Sequence, residues 1–265
     1  TVTWAGIING WTLLNAQGIV VSNNTAFGAR SQSLEGVSTC FLLRYVAERA
    51  RSVAEGVRMV QEAQRACGTS MLIASGSPPD AAVVEFDHAE TAVRRPSEGF
   101  VGAANDFLAL YADGATEAFL IGGRVDVARG LASSLRGRVD LETHLAGAQG
   151  VPIRSMNLHS AMIDATNLRL RVAMGRIPAC DLPYRALRFT GEGLAADGPE
   201  AAAPADGAAG PARGRSFAFS DVFALFMGAL MVAVFFYLTW KLAVTAITGK
   251  RPVRALDRSE RGDKP

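Results

Sequence analysis

Up to about residue 190, hydrophobic positions recur with two different periods, and the period changes in blocks. Thr12–Asn15 and Ile19–Ser22, joined by Ala16-Gln17-Gly18, read as strands, with Asn15 and Gly18 supplying turn chemistry, so a hairpin is predicted there. Ser38-Thr39 predicts the cap of a helix carrying Phe41, Leu42, Tyr45 and Val46. Ser52 followed by Glu55 is a capping box, opening a second helix to about Ala66 with Val53, Val57, Val60 and Ala63 on one face. Strands are predicted at 70–74 and 81–86 around Ser-Pro-Pro-Asp, and at 91–94. Helices follow at 124–136 and 141–147, then a hairpin of 155–163 with 168–173, and a last short strand at 187–189. Blocks of strands alternating with blocks of helices predict an α+β domain over residues 1–190, with helices packed on mainly antiparallel sheets.

The pattern changes beyond residue 190. Residues 191–215 are rich in Ala, Gly and Pro and nearly devoid of large apolar side chains. Such a segment cannot bury enough surface to offset its ordering entropy, so it predicts a flexible linker. Val222 to Trp240 is a 19-residue run without a charge. At ~1.5 Å per residue it approaches the ~30 Å hydrocarbon core, which predicts a single transmembrane helix within residues 216–249, with the bilayer as partner of 217–248. Lys241 snorkels from it, and Tyr237 and Trp240 suit the interfacial belt. The tail 250–265 holds six basic residues against Arg213 and Arg215 on the other flank. The positive-inside rule therefore sets the C-terminus in the cytoplasm and the N-terminal domain outside it. Ala224/Gly228 and Ala229/Ala233 are spaced for helix packing in a homodimer, a spacing that an Ala-rich chain also produces by chance.

Charge and composition narrow the chemistry. Lys and Arg total 27 against 25 Asp and Glu in 265 residues, too balanced for a nucleic-acid binder driven by phosphate contacts. Cys40, Cys67 and Cys180 are odd in number, far apart and without a CxxC, which argues against a disulfide framework or a zinc ribbon. His88, His144 and His159 stand alone, so no metal site is expected. No glycine-rich phosphate-binding motif is present, and no cofactor is expected.

Six segments in order carry a family resemblance. They are Gly10–Val21, Gly36–Val46, Ser52–Gly56, Ala82–Glu85, Phe100–Phe107 and the pair Ser160–Asp164 with Leu170–Gly175. Together they resemble the acyl-CoA:6-aminopenicillanate acyltransferase-like enzymes, relatives of choloylglycine hydrolase and penicillin V acylase among the N-terminal-nucleophile hydrolases. The resemblance implies an αββα sandwich and hydrolysis or acyl transfer at a linear amide bond of a small molecule, with no metal or organic cofactor. An N-terminal nucleophile whose own α-amine serves as base would attack the carbonyl. The family's oxyanion-holding Asn falls on Asn105, and a second polar group falls on Asn23 or Asn24, between which the sequence does not choose. An Arg of the family falls on Arg124.

The chain also departs from the family pattern. Only fourteen residues precede Asn15, so the resemblance implies a domain read without its nucleophile strand, with Thr1 as an alternative nucleophile. Ala104-Asn105-Asp106 replaces the family's Thr-Asn-His, and Ala16 replaces a Glu. These changes keep open a catalytically inactive, membrane-tethered interaction module of the same fold. Asn105-Asp106 also suits an ordinary turn or cap. Arg124 also suits a solvent-facing helix position. Cys40 reads as a small core residue rather than a nucleophile, Asn15 as a turn residue, His88 as a loop residue, and His159 as a core or edge histidine.

Overall fold

A computed structural model describes residues 1–3, 10–26, 28–111, 123–141 and 150–198. The chain divides into a unit from Thr1 to Pro204 and a second from Ala205 to Pro265, the latter outside the described residues. All but Leu141 of the expected helix at 141–147, the span at 216–249 and the tail at 250–265 also lie outside them. Among the described residues no helix is long and apolar enough to cross a membrane.

The first sheet is antiparallel and ordered β1-β2-β3-β4-β5: Thr12–Leu14, Ile19–Asn24, Thr69–Gly76, Pro79–Phe86 and Thr91–Arg94. Two helices, α1 (Thr39–Arg49) and α2 (Val53–Glu62), cover one face. Alternation along the strands sends Ile19, Val21, Met71, Ile73, Ala82, Val84 and Phe86 to that side. There they join Leu42, Leu43, Val46, Val53, Val57 and Val60 in the main core. The predicted capping box forms: the Glu55 N–H donates to the Ser52 hydroxyl at 3.1 Å, and the Glu55 carboxylate accepts from the Arg51 N–H at 2.9 Å. α2 stops at Glu62, short of the expected Ala66. The reason is Arg65, whose buried guanidinium donates to the carbonyls of Val60, Gln61 and Ala63 and so ends the helix. Asn15 also does more than turn the hairpin. Its amide accepts from the Gln17 and Ile19 N–H groups and donates to the carbonyls of Ala47 and Ala50, fastening the hairpin to the end of α1.

A second antiparallel sheet runs β6-β7-β8-β9: His159–Asp164, Arg169–Met174, Arg185–Thr190 and Gly193–Ala196. The expected strand 155–163 begins late, because Arg154–Met156 is a 3-10 turn. β9 occupies the start of the segment expected to be linker. Strand pairing requires backbone groups rather than large side chains, and Asp197 at its end is held by Arg169 and Arg188. The two sheets meet at their turns. The Thr166 hydroxyl donates to the Gly76 carbonyl at 3.2 Å, and a Cβ on Gly76 would fall 2.2 Å from the Thr166 nitrogen. A third helix, α3 (Arg124–Ser134), follows Gly123, whose φ of +76° turns the chain into it.

Candidate functional site

β2 ends in two asparagines, and strand alternation separates them. Asn23 shares the helix-side face with Ile19 and Val21. Its side-chain carbonyl accepts from the Thr69 hydroxyl at 2.8 Å. It lines a cavity of about 190 Å³ with Trp11, Thr25, Cys40, Cys67 and Thr69, beside the start of α1. Cys40 therefore faces a cavity rather than the core, against expectation, and is half-buried. Cys67 lies 3.1 Å from the Thr39 hydroxyl. Asn24 belongs to the opposite face, where its cross-strand neighbours are Ser70 on β3 and, beyond it, Glu85 on β4. Only its backbone carbonyl joins Asn23's network, accepting from Thr69 at 3.0 Å.

The segment from Phe100 to Tyr111 has no regular structure but is fastened at several points. Phe107 packs with Ala26 and Tyr111, its ring 4.8 Å from that of Tyr111 in an edge arrangement. The Tyr111 hydroxyl donates to the Asp87 carboxylate at 2.6 Å and accepts from the Arg30 N–H at 2.9 Å. Burial and this bond to an anion push the Tyr111 phenol up to about 12. Burial alone would raise Asp87, but the Tyr111 hydroxyl and the N–H groups around it outweigh that and hold the carboxyl below its usual range. The carboxylate of Glu85 receives the N–H groups of Leu108, Ala109 and Leu110 at 2.7–3.0 Å.

Within this frame Asn105 donates from its side-chain nitrogen to the Thr25 carbonyl at 2.6 Å. Its side-chain oxygen accepts from Arg124. A guanidinium only donates, so Arg124 fixes which end of the Asn105 amide faces it and turns the NH₂ towards the end of β2. Arg124 also donates to the Val151 carbonyl at 3.3 Å. Burial lowers the Arg124 guanidinium's pKa, and Asp106 nearby acts in the opposite sense. Asn105 and Arg124 are thus bonded to each other, and Asn105 to Thr25, which lines the cavity beside Asn23; the Asn24 side chain belongs to the other face. Sequence reasoning missed Glu85, Asp87, Tyr111 and Arg65. The available signal was a carboxylate closing the apolar run Ala81–Phe86.

Residues 1–124 match the family model for acyl-coenzyme A:6-aminopenicillanic acid acyl-transferase. The match includes Asn23, Asn24 and Asn105 and ends at Arg124. Eighteen solved chains are similar in structure. One is a single-residue variant of conjugated bile acid hydrolase from Clostridium perfringens, at a TM-score of 0.50 and 11% identity, covering 71% of this chain and 75% of that one. At that identity the likeness speaks to the fold, which is of the N-terminal-nucleophile hydrolase type. No curated protein matches. At the coarse level the acyl-transferase family match supports an amide hydrolase or acyltransferase.

Other candidates stand apart. His159 lies on edge strand β6, 3.5 Å from the Thr12 hydroxyl, and burial lowers its pKa. The His88 ring is 2.6 Å from the Arg65 carbonyl. His144 is outside the described residues. Among the described residues no three His, Cys, Asp or Glu side chains gather for a metal. A larger cleft of about 640 Å³ between the β3–β4 and β6–β7 turns touches none of the expected site residues.

Proposed function

We propose that this domain cleaves or transfers the acyl group of a linear amide, with Asn105 and Asn23 donating to the tetrahedral oxyanion. The observation that carries the reading is the Arg124–Asn105–Thr25 arrangement. One N–H of the Asn105 amide is taken by Thr25, and the second remains for a developing oxygen. Asn23 spends its side-chain carbonyl on Thr69, which leaves its NH₂ as the donor. An N-terminal nucleophile would attack the carbonyl and pass its proton to its α-amine. Collapse of the intermediate would expel the amine with that proton, and water or an acceptor amine would release the acyl group. The apolar run 222–240 and the basic tail support a domain tethered to a membrane and facing away from the cytoplasm.

The test is turnover of a panel of N-acyl p-nitroanilides by the chain with its native N-terminus. The expected result is release of nitroaniline, with Asn105→Ala lowering kcat about 100- to 1000-fold while the fold is kept. Full turnover in that variant would overturn the assignment. One observation favours a second reading as a non-catalytic module. Asp106 sets a negative charge beside Arg124, close to where an oxyanion would form. Absence of turnover across the panel supports it.

A further inference from the structure

We propose that Glu85 is the positioning residue for Asn105, a role that rests on the reading of Asn105 given above. Glu85 is fully buried on β4. One carboxylate oxygen accepts from the Arg94 guanidinium at 2.6 Å. The other accepts from three consecutive backbone N–H groups, those of Leu108, Ala109 and Leu110, at 2.9, 2.7 and 3.0 Å. A carboxylate offers about four acceptor sites. Here the three N–H groups of one irregular segment share one oxygen, and Arg94 takes the other. The Ser70 hydroxyl, its cross-strand neighbour on β3, is buried yet has no partner among the described residues. The carboxylate therefore ties the loop, through one oxygen, to the β4–β5 edge of the sheet, where Arg94 holds the other.

That commitment reaches Asn105 by a short path. Only Asp106 and Phe107 separate Asn105 from Leu108, and Phe107 is buried against Ala26. Ala26 directly follows Thr25, whose carbonyl accepts from Asn105. The loop is thus pinned from the sheet by Glu85 and from the end of β2 by Phe107 and Thr25. Three half-buried N–H groups left without this anion would be donors seeking other partners, which a shifted backbone supplies at the expense of Asn105's placement.

The test uses the whole chain, needs no turnover, and so separates this proposal from the catalytic reading. In the unmodified protein the amides of Leu108, Ala109 and Leu110 should resist hydrogen exchange as strand amides do. In Glu85→Gln they should exchange about 100-fold faster. The Asn105 side-chain NH₂ resonance should collapse towards the free-amide position, while that of Asn15, tied to Ala47 and Ala50, stays put as an internal reference. Glu85→Asp, which keeps the charge, should restore part of the protection. Exposed-loop exchange rates at 108–110 in the unmodified protein would overturn the proposal, even where a variant fails to fold. An unmoved Asn105 resonance in a folded Glu85→Gln would overturn it as well.

Discussion

Replacing Tyr111 with Phe removes one oxygen and leaves the ring. The ring's contacts survive: the edge contact with Phe107 at 4.8 Å and the Arg30 guanidinium 4.4 Å above it. What is lost is a 2.6 Å bond to an ionised, buried carboxylate, worth about 1.5–3 kcal/mol. The lost acceptor for the Arg30 N–H adds less, because Arg30 is exposed and water can replace it. The sum is a loss of about 2–3 kcal/mol, or roughly 5–10 °C in Tm for a domain of this size. The sign with pH follows from Asp87. Its carboxyl is depressed in the folded state, so its contribution is present above the unfolded value of about 4 and is lost as pH falls through the folded value. The gap between Tyr111→Phe and the unmodified protein should be full at pH 7 and should narrow as pH falls below the unfolded value and through the depressed Asp87 value. Urea titrations across that range read it directly. A gap below about 0.5 kcal/mol at pH 7, or one that widens as the pH is lowered, would refute the assignment of Tyr111 as an anion-bound clamp on the 105–111 loop.

Arg65→Met should cost about 3 kcal/mol or more in the same titration, since it strips the guanidinium from the carbonyls of Val60, Gln61, Ala63 and Asp87 in a buried site. Circular dichroism should show the end of α2 fraying; retention of full stability would mean water replaces the guanidinium there. Gly36→Ala should destabilise by about 2 kcal/mol or more, because a Cβ would lie 2.2 Å from the Arg65 carbonyl carbon, a backbone atom that cannot rotate away. A Tm within about 1 °C of the unmodified protein would show that the Val37–Arg65 bridge yields without cost.

Local signals carried most of the fold. The Asn15–Gly18 turn, the Ser52 capping box and the apolar run before Phe86 each act within a few residues, so their elements were legible. β9 was not, because Gly193–Ala196 has almost no side chain to show a period and is held by pairing with β8. The end of α2 was misplaced because its terminator, Arg65, acts through the folded chain. The same division holds at the site. Asn105 and Arg124 were expected from their segments, and they are bonded to each other. The sequence left Asn23 and Asn24 as alternatives, and the strand's register, which no local pattern reveals, sets them on opposite faces. Glu85 and Tyr111 anchor Asn105's loop across 23 and 24 residues of sequence, through pairings that only the folded chain brings together.

The central claim is acyl transfer through an oxyanion held by Asn105, and peptide mapping after a brief incubation with an activated acyl ester tests it most directly. With the native N-terminus in place, a single acyl group should appear on the terminal residue, and Asn105→Ala should slow its accumulation about 100-fold or more. Acylation scattered over other nucleophiles, or an unchanged rate in that variant, would contradict the account.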